Sequence, residues 1–276
     1  MRSAVGADED DWTRVALPTA ANGRLSVWRS PGTGRPVLAV HGMEDSWRTW
    51  DPLARRLDGR YRFYALDMPW RTGNSYAWRK QGSAGEWLRR ALTLLPEPVH
   101  TVVGHSFGAN AVLDWLAAAA GGGALDGIGA AVLVAPFYLP ARSEVSEDRS
   151  LQSFRAVIAH GLTAKLGSRM ADLEPDIVLA MGDKLLERVV PLGFPVFFDA
   201  FVASGRLGLA GVTVPTLVLS GTDDDSLTAD RAAGLAADMP ATSVHQRSRY
   251  SHFCHLEQAD EVAAEVGTFL DQHPAP

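Results

Sequence analysis

The chain has 276 residues, 46% hydrophobic and 21% charged, which supplies apolar material for one large domain or one domain carrying a substantial insertion. The formal net charge of −6, from 26 basic and 32 acidic side chains, argues against a nucleic-acid binder, which would show a basic stripe. Cys254 is the single cysteine, so an intrachain disulfide is excluded and a reducing compartment suits the chain.

No apolar stretch of signal-peptide length stands near the N-terminus, and no window of about 18 uninterrupted apolar residues exists; a cytoplasmic protein without a membrane span is expected. Residues 1–11, with Asp8-Glu9-Asp10-Asp11, read as a short disordered acidic tail. Candidate strands at Thr13–Leu17 and Arg24–Ser30 flank the turn signal Asn22-Gly23, which predicts a hairpin at a sheet edge. Val37–Val40 is a continuous apolar run of the kind buried on both faces, and it ends in His41-Gly42. Ser46 is placed to cap a helix in which Trp50, Leu53, Ala54 and Leu57 recur at helical spacing. Tyr61–Leu66 reads as a strand ending at Asp67, and Glu86–Leu95 as a helix stopped by Pro96. Val99–Val103 is the next strand, Phe107–Ala120 the next helix, and Ala130–Ala135 a strand before Pro136. Strands alternating with helices predict an α/β fold, a mostly parallel central sheet with helices on both faces.

That rhythm breaks over 141–212, where apolar residues fall at helical spacing in Leu151–Leu166, Ile177–Val190 and Phe197–Leu207. It resumes with a strand at Thr216–Ser220, a helix at Ala229–Ala237, a strand at Thr242–His245 and a last helix at Leu256–Leu270. The expectation is a core formed by 12–140 and 213–276, interrupted by a helical lid.

Ser106 lies between a β-branched run that ends at Gly104 and a helix that begins at Phe107, with small residues two positions away on either side. Acyl transfer at a serine needs a base for its proton, a carboxylate to orient that base, and donors for the oxyanion. In a parallel sheet such groups collect beyond the carboxyl ends of the strands. Four features fall there: His41-Gly42, Ser106, the Asp223–Asp225 cluster and His252, in the order serine, acid, histidine.

The segments His41-Gly-Met43-Glu-Asp45-Ser-Trp47, Gly104-His-Ser106-Phe-Gly108, Gly221-Thr-Asp-Asp224 and His252-Phe-Cys-His255-Leu-Glu257 together resemble the α/β-hydrolase superfamily, in its lid-bearing branch of small esterases and thioesterases. The resemblance runs from residue 13 onward. It implies Ser106 as nucleophile, His252 as base, and Asp224 as acid, with Asp223 a loop residue, Asp225 a helix cap and His255 packed on the last helix. It also implies an oxyanion hole made by the backbone N–H groups of Met43 and Phe107.

The loop Met68–Arg79 departs from the family pattern with two tryptophans, a tyrosine and two arginines. It either covers the sheet edge or walls the substrate pocket, with Arg71 or Arg79 near an anionic group. Trp70, Arg71 and Tyr76 are its pocket candidates, joined by Phe137 and Tyr138 beyond Pro136. The function expected is a serine hydrolase or acyltransferase acting on a small-molecule carboxylic ester or thioester. The alternatives are a lyase-type elimination or cyclisation with the same triad in a biosynthetic pathway, and a ligand-binding relative without turnover. No nucleotide, flavin or phosphate motif is found, and His252, Cys254 and His255 lack a second pair of metal ligands, so no cofactor is expected. Arg55-Arg56 and Arg89-Arg90 read as solvated helix faces, with a docking patch for an acidic carrier protein as the alternative.

Overall fold

The computed structural model describes residues 11–17, 25–125 and 127–275; nearly all of the acidic stretch and the Asn22-Gly23 turn lie outside the described residues. The strands are β1 (Thr13–Ala16), β2 (Ser26–Arg29), β3 (Arg35–Val40), β4 (Tyr61–Asp67), β5 (Thr101–His105), β6 (Ala130–Val134), β7 (Thr216–Gly221) and β8 (Thr242–Arg247). They form one sheet in the order β1-β2-β4-β3-β5-β6-β7-β8. Pairing is antiparallel from β1 through β2 to β4 and parallel from β4 to β8. The helices are α1 (Asp51–Arg56), α2 (Ala84–Leu92), α3 (Phe107–Ala120), α4 (Glu147–Leu166), α5 (Pro175–Ser204), α6 (Ala229–Asp238), α7 (Cys254–Glu257) and α8 (Ala259–Gln272). None of the described helices is long and apolar enough to cross a membrane.

Successive side chains of a strand point to opposite faces, so the run Val37–Val40 feeds two cores. Val37 and Ala39 join a cluster with Leu53 and Leu57 at α1 and Val262 and Val266 of α8. Leu38 and Val40 join another with Trp87 and Leu88 of α2 and Val112 and Leu116 of α3. All four strand residues are fully buried, which is why the stretch lacks polar alternation.

Some boundaries differ from the sequence reading for local reasons. Ser46 caps no helix with its side chain; its N–H is bound by Asp45 Oδ1 at 2.9 Å, a 3₁₀ turn fills Trp47–Trp50, and α1 starts only at Asp51. α2 starts early, at Ala84, because Ser83 and Glu86 form a reciprocal capping box. The last helix is broken at Gln258 into α7 and α8.

Between β6 and β7 the chain forms α4, a 3₁₀ turn at Gly167–Asp172, and α5. The two helices expected at 177–190 and 197–207 are one helix of 30 residues that runs through Pro191 and Pro195. Interior prolines weaken a helix by about 3 kcal/mol each. The offset here is an aromatic seam: Phe197 stacks on Phe154 of α4 at 5.2 Å and on Phe201 at 5.7 Å, and Phe194 meets Phe198 at 5.5 Å.

Candidate active site

Ser106 leaves β5 with φ 50° and ψ −119°, a sparsely populated backbone conformation. Glycines make the turn sterically feasible. A Cβ on Gly104 would come 2.7 Å from Ala109 Cα, and one on Gly108 would come 2.4 Å from the Val40 carbonyl oxygen. A larger residue at either place would push α3 off the sheet. With α3 held down, its N-terminal N–H groups face the space above the serine hydroxyl.

Asp224 follows β7 and His252 follows β8, so neighbouring strands bring residues distant in sequence to one edge of the sheet. His252 Nδ1 lies 2.8 Å from Asp224 Oδ2, and His252 Nε2 lies 2.9 Å from Ser106 Oγ. Burial raises the Asp224 pKa, but the charge of His252 and the hydrogen bonds from His252 and Ser226 outweigh it, leaving the carboxyl below its ordinary value. An ionised carboxylate can only accept, so His252 Nδ1 donates to it and Nε2 is left to accept from Ser106. Asp224 Oδ1 also takes the Ser226 N–H at 2.9 Å, so it caps the 3₁₀ turn at Asp225–Leu227. The capping role expected of Asp225 therefore falls to Asp224; Asp223 and Asp225 are exposed.

Three further histidines surround this chain of bonds without joining it. His105 points behind the turn, where its Nε2–H donates to the His252 carbonyl at 3.0 Å. His41 Nδ1–H donates to the Gly42 carbonyl at 2.7 Å, and its Nε2 accepts the Met68 N–H at 2.9 Å, which ties the loops after β3 and β4 together. His255 sits 2.7 Å from Thr49 Oγ1. Burial lowers the pKa of all three. Cys254 is buried and its thiol is pushed up to about 12, chiefly by burial, so it is no nucleophile near neutrality.

Among the described residues, Asp45, His105 and His255 have metal-ligand spacing, each offering an atom within 4.8 Å of the others. Lys165 Nζ already balances Asp45 at 3.1 Å, so a divalent ion would bring uncompensated positive charge into a buried place. We assign no metal there.

The register Val40↔Gly104 sets the loop after β3 beside Ser106. Met43 and Phe107 both line the cavity above the serine, and no protein acceptor takes either backbone N–H among the described residues. Glu44 fixes this loop. It has φ 55°, its N–H donates to the Trp70 carbonyl at 3.0 Å, and its buried carboxylate accepts from Tyr76 Oη, Asn74 Nδ2 and Arg188 Nη2 at 2.8–2.9 Å. Lys165 Nζ reaches the Glu44 carbonyl at 2.9 Å. Helices α4 and α5 are thus bound to the loop that carries Met43. No local pattern pointed to Glu44, Lys165 or Arg188, since the partners stand more than a hundred residues apart.

Of the expected pocket residues, Phe137 lines the cavity and Trp70, Arg71, Tyr76 and Tyr138 do not. Trp70 is fully buried, its Nε1–H on the His41 carbonyl at 3.0 Å and its ring edge-on to Phe107 at 5.3 Å. Tyr76 is held by Glu44, and Tyr138 donates its hydroxyl to Asp238. The aromatic loop supports the site from below, because its rings gain more by burial than by facing a cavity. Arg71 and Arg79 stay off the cavity wall, whose arginines are Arg149 of α4 and Arg231 of α6.

A family model described as the alpha/beta hydrolase family matches residues 37–265. The chain belongs to that family. The fold agrees: an esterase from Exiguobacterium antarcticum superposes with a TM-score of 0.62 at 14% identity, over 92% of this chain and 97% of that one. The enol-lactonase from Burkholderia xenovorans LB400 superposes with a TM-score of 0.62 at 20% identity, over 90% and 96%. A serine hydrolase-like protein of Danio rerio is 33% identical over 93 residues, which are 32% of this chain and 28% of that protein. In this alpha/beta hydrolase the cavity above Ser106 has a volume of about 520 Å³, within the range of small-molecule sites. Phe154, Ile158 and Leu162 of α4 and Leu185, Phe197 and Phe201 of α5 supply its apolar wall.

Proposed function

We propose that the protein is a serine hydrolase or acyltransferase acting on a small-molecule carboxylic ester or thioester. The observation that carries this reading is the continuous chain Ser106–His252–Asp224 at the floor of a mostly apolar cavity. Ser106 Oγ attacks the carbonyl carbon while its proton passes to His252 Nε2, and Asp224 stabilises the imidazolium. The N–H groups of Met43 and Phe107 take the charge that develops on the carbonyl oxygen. His252 then protonates the leaving alcohol or thiol, and water or an acceptor alcohol releases the acyl group by the reverse route. Residues 141–212 act as the lid, excluding bulk water from the acyl-enzyme.

A fluorophosphonate probe should label the folded protein once, at Ser106, and Ser106→Ala should abolish labelling and lower ester turnover on the order of 10⁵-fold or more. An unlabelled folded protein would remove the nucleophile from the scheme. Hydrolysis in ¹⁸O-water places one solvent oxygen in the released acid, whereas an elimination places none.

A further inference from the structure

Two arginines line the cavity, Arg149 and Arg231. Arg231 of α6 is half-buried, its guanidinium 4.8 Å over the Phe201 ring, and its Nη1 donates to the carbonyl of Asp225, the residue after Asp224. Arg149 belongs to α4, and its guanidinium has no hydrogen-bond or ion-pair partner among the described residues. Burial above all lowers the Arg231 pKa; the charge of Asp225 opposes that shift and the charge of Arg149 adds to it. Asp225 Oδ2 meanwhile lies 3.4 Å from Ser153 Oγ. Glu144 also lines the cavity, but it is exposed and makes no hydrogen bond or ion pair with either arginine among the described residues. Half-burial of the Arg231 guanidinium costs free energy that a bound anion would offset, while the exposed Arg149 stays solvated and free to join it.

An aromatic path joins Arg231 to the serine. The Phe107 ring lies 6.2 Å from that of Phe137, which lies 6.1 Å from that of Phe201, the ring under Arg231. An apolar chain lying along these rings would have one end at the nucleophile and the other at the arginines. We infer that the substrate carries, across an apolar spacer from its ester or thioester, a carboxylate held by Arg149 and Arg231. A planar carboxylate suits the guanidinium fork. The inference rests on the hydrolase reading for its scissile bond and on the cavity alone for its anion.

Two pairs of esters test it, differing in which side bears the carboxylate. On the acyl side the pair is para-nitrophenyl hexanoate and the para-nitrophenyl monoester of adipic acid. On the alcohol side it is butyl butanoate and the butanoyl ester of gamma-hydroxybutyrate. In one pair the wild type should favour the anionic member about tenfold or more in kcat/KM, as expected for a charge-assisted contact. Arg149→Gln and Arg231→Gln should each bring that ratio toward unity, and Arg149→Lys should keep part of it. A wild-type ratio at or below one in both pairs overturns the subsite while leaving the hydrolase reading intact. If no ester turns over and Ser106 resists labelling, the hydrolase reading fails instead. Calorimetry on Ser106→Ala protein then decides the subsite: adipic acid monoamide should bind more tightly than hexanamide and lose that margin with Arg149→Gln, and equal binding overturns it.

Discussion

Both ring nitrogens of His252 are engaged, and so is its backbone carbonyl, which receives the His105 Nε2–H. The imidazole is thus fixed in tautomer by Asp224 and in position by His105, the residue before Ser106. If Asp224 only filled space, an isosteric amide would serve as well. Asp224→Asn presents an N–H or a carbonyl to Nδ1 but no charge, so it should lower kcat on the order of 10⁴-fold with KM little changed. Steady-state kinetics on an activated ester checks this, and a loss under tenfold would show that the carboxylate does not act on the base. Asp223 and Asp225 stand on either side with the same functional group, and only the backbone path after β7 turns the middle one inward.

At the scale of elements, the loop after β3 joins the sheet to the inserted helices. Glu44 closes that joint with three hydrogen bonds, taking Tyr76 and Asn74 from the aromatic loop and Arg188 from α5. Glu44→Ala would leave a buried tyrosine hydroxyl without its partner, at a cost of about 1–3 kcal/mol, and would release α5 from the loop bearing Met43. The expected result is a lower urea midpoint together with slower fluorophosphonate labelling of Ser106. Lower stability with an unchanged labelling rate would separate Glu44 from any effect on Ser106 reactivity. The aromatic stretch at Trp70–Trp78 belongs to the same joint. Its rings pack against Phe107, which keeps them out of the cavity, so that this stretch adds only Thr72 to the cavity wall.

Across the whole molecule, His41, His105 and His255 are all kept neutral by burial between the sheet and the helices. In the folded state their pKa values lie below 6.5, while in the unfolded chain they return to it. Below pH 6.5 the unfolded state therefore binds more protons than the folded one, and stability falls as pH falls. Each histidine contributes a slope of about 1.4 kcal/mol per pH unit between 6.5 and its folded pKa. Asp224, held below its ordinary value in the fold, adds a loss of the same sign further down, in the carboxylate range. Urea midpoints should thus drop steadily from pH 7 to pH 5, and a flat profile over that interval would contradict the burial of these rings as neutral groups.

The sheet and the position of Ser106 were legible from residue order alone. Unbroken runs such as Val37–Val40 have to be buried on both faces, and glycines flanking a serine between a strand and a helix permit one tight turn. Those are short-range consequences of backbone sterics and hydrophobic burial, so neighbours along the chain suffice to specify them. Other features needed the folded chain. The anchoring of Glu44 by Arg188, the passage of α5 through two prolines, the burial of Trp70 and the placing of Arg149 and Arg231 on one cavity wall all depend on groups brought together from distant segments. Side-chain packing and charge pairing act through space, and a linear string of residues carries no record of which remote surfaces come to face each other.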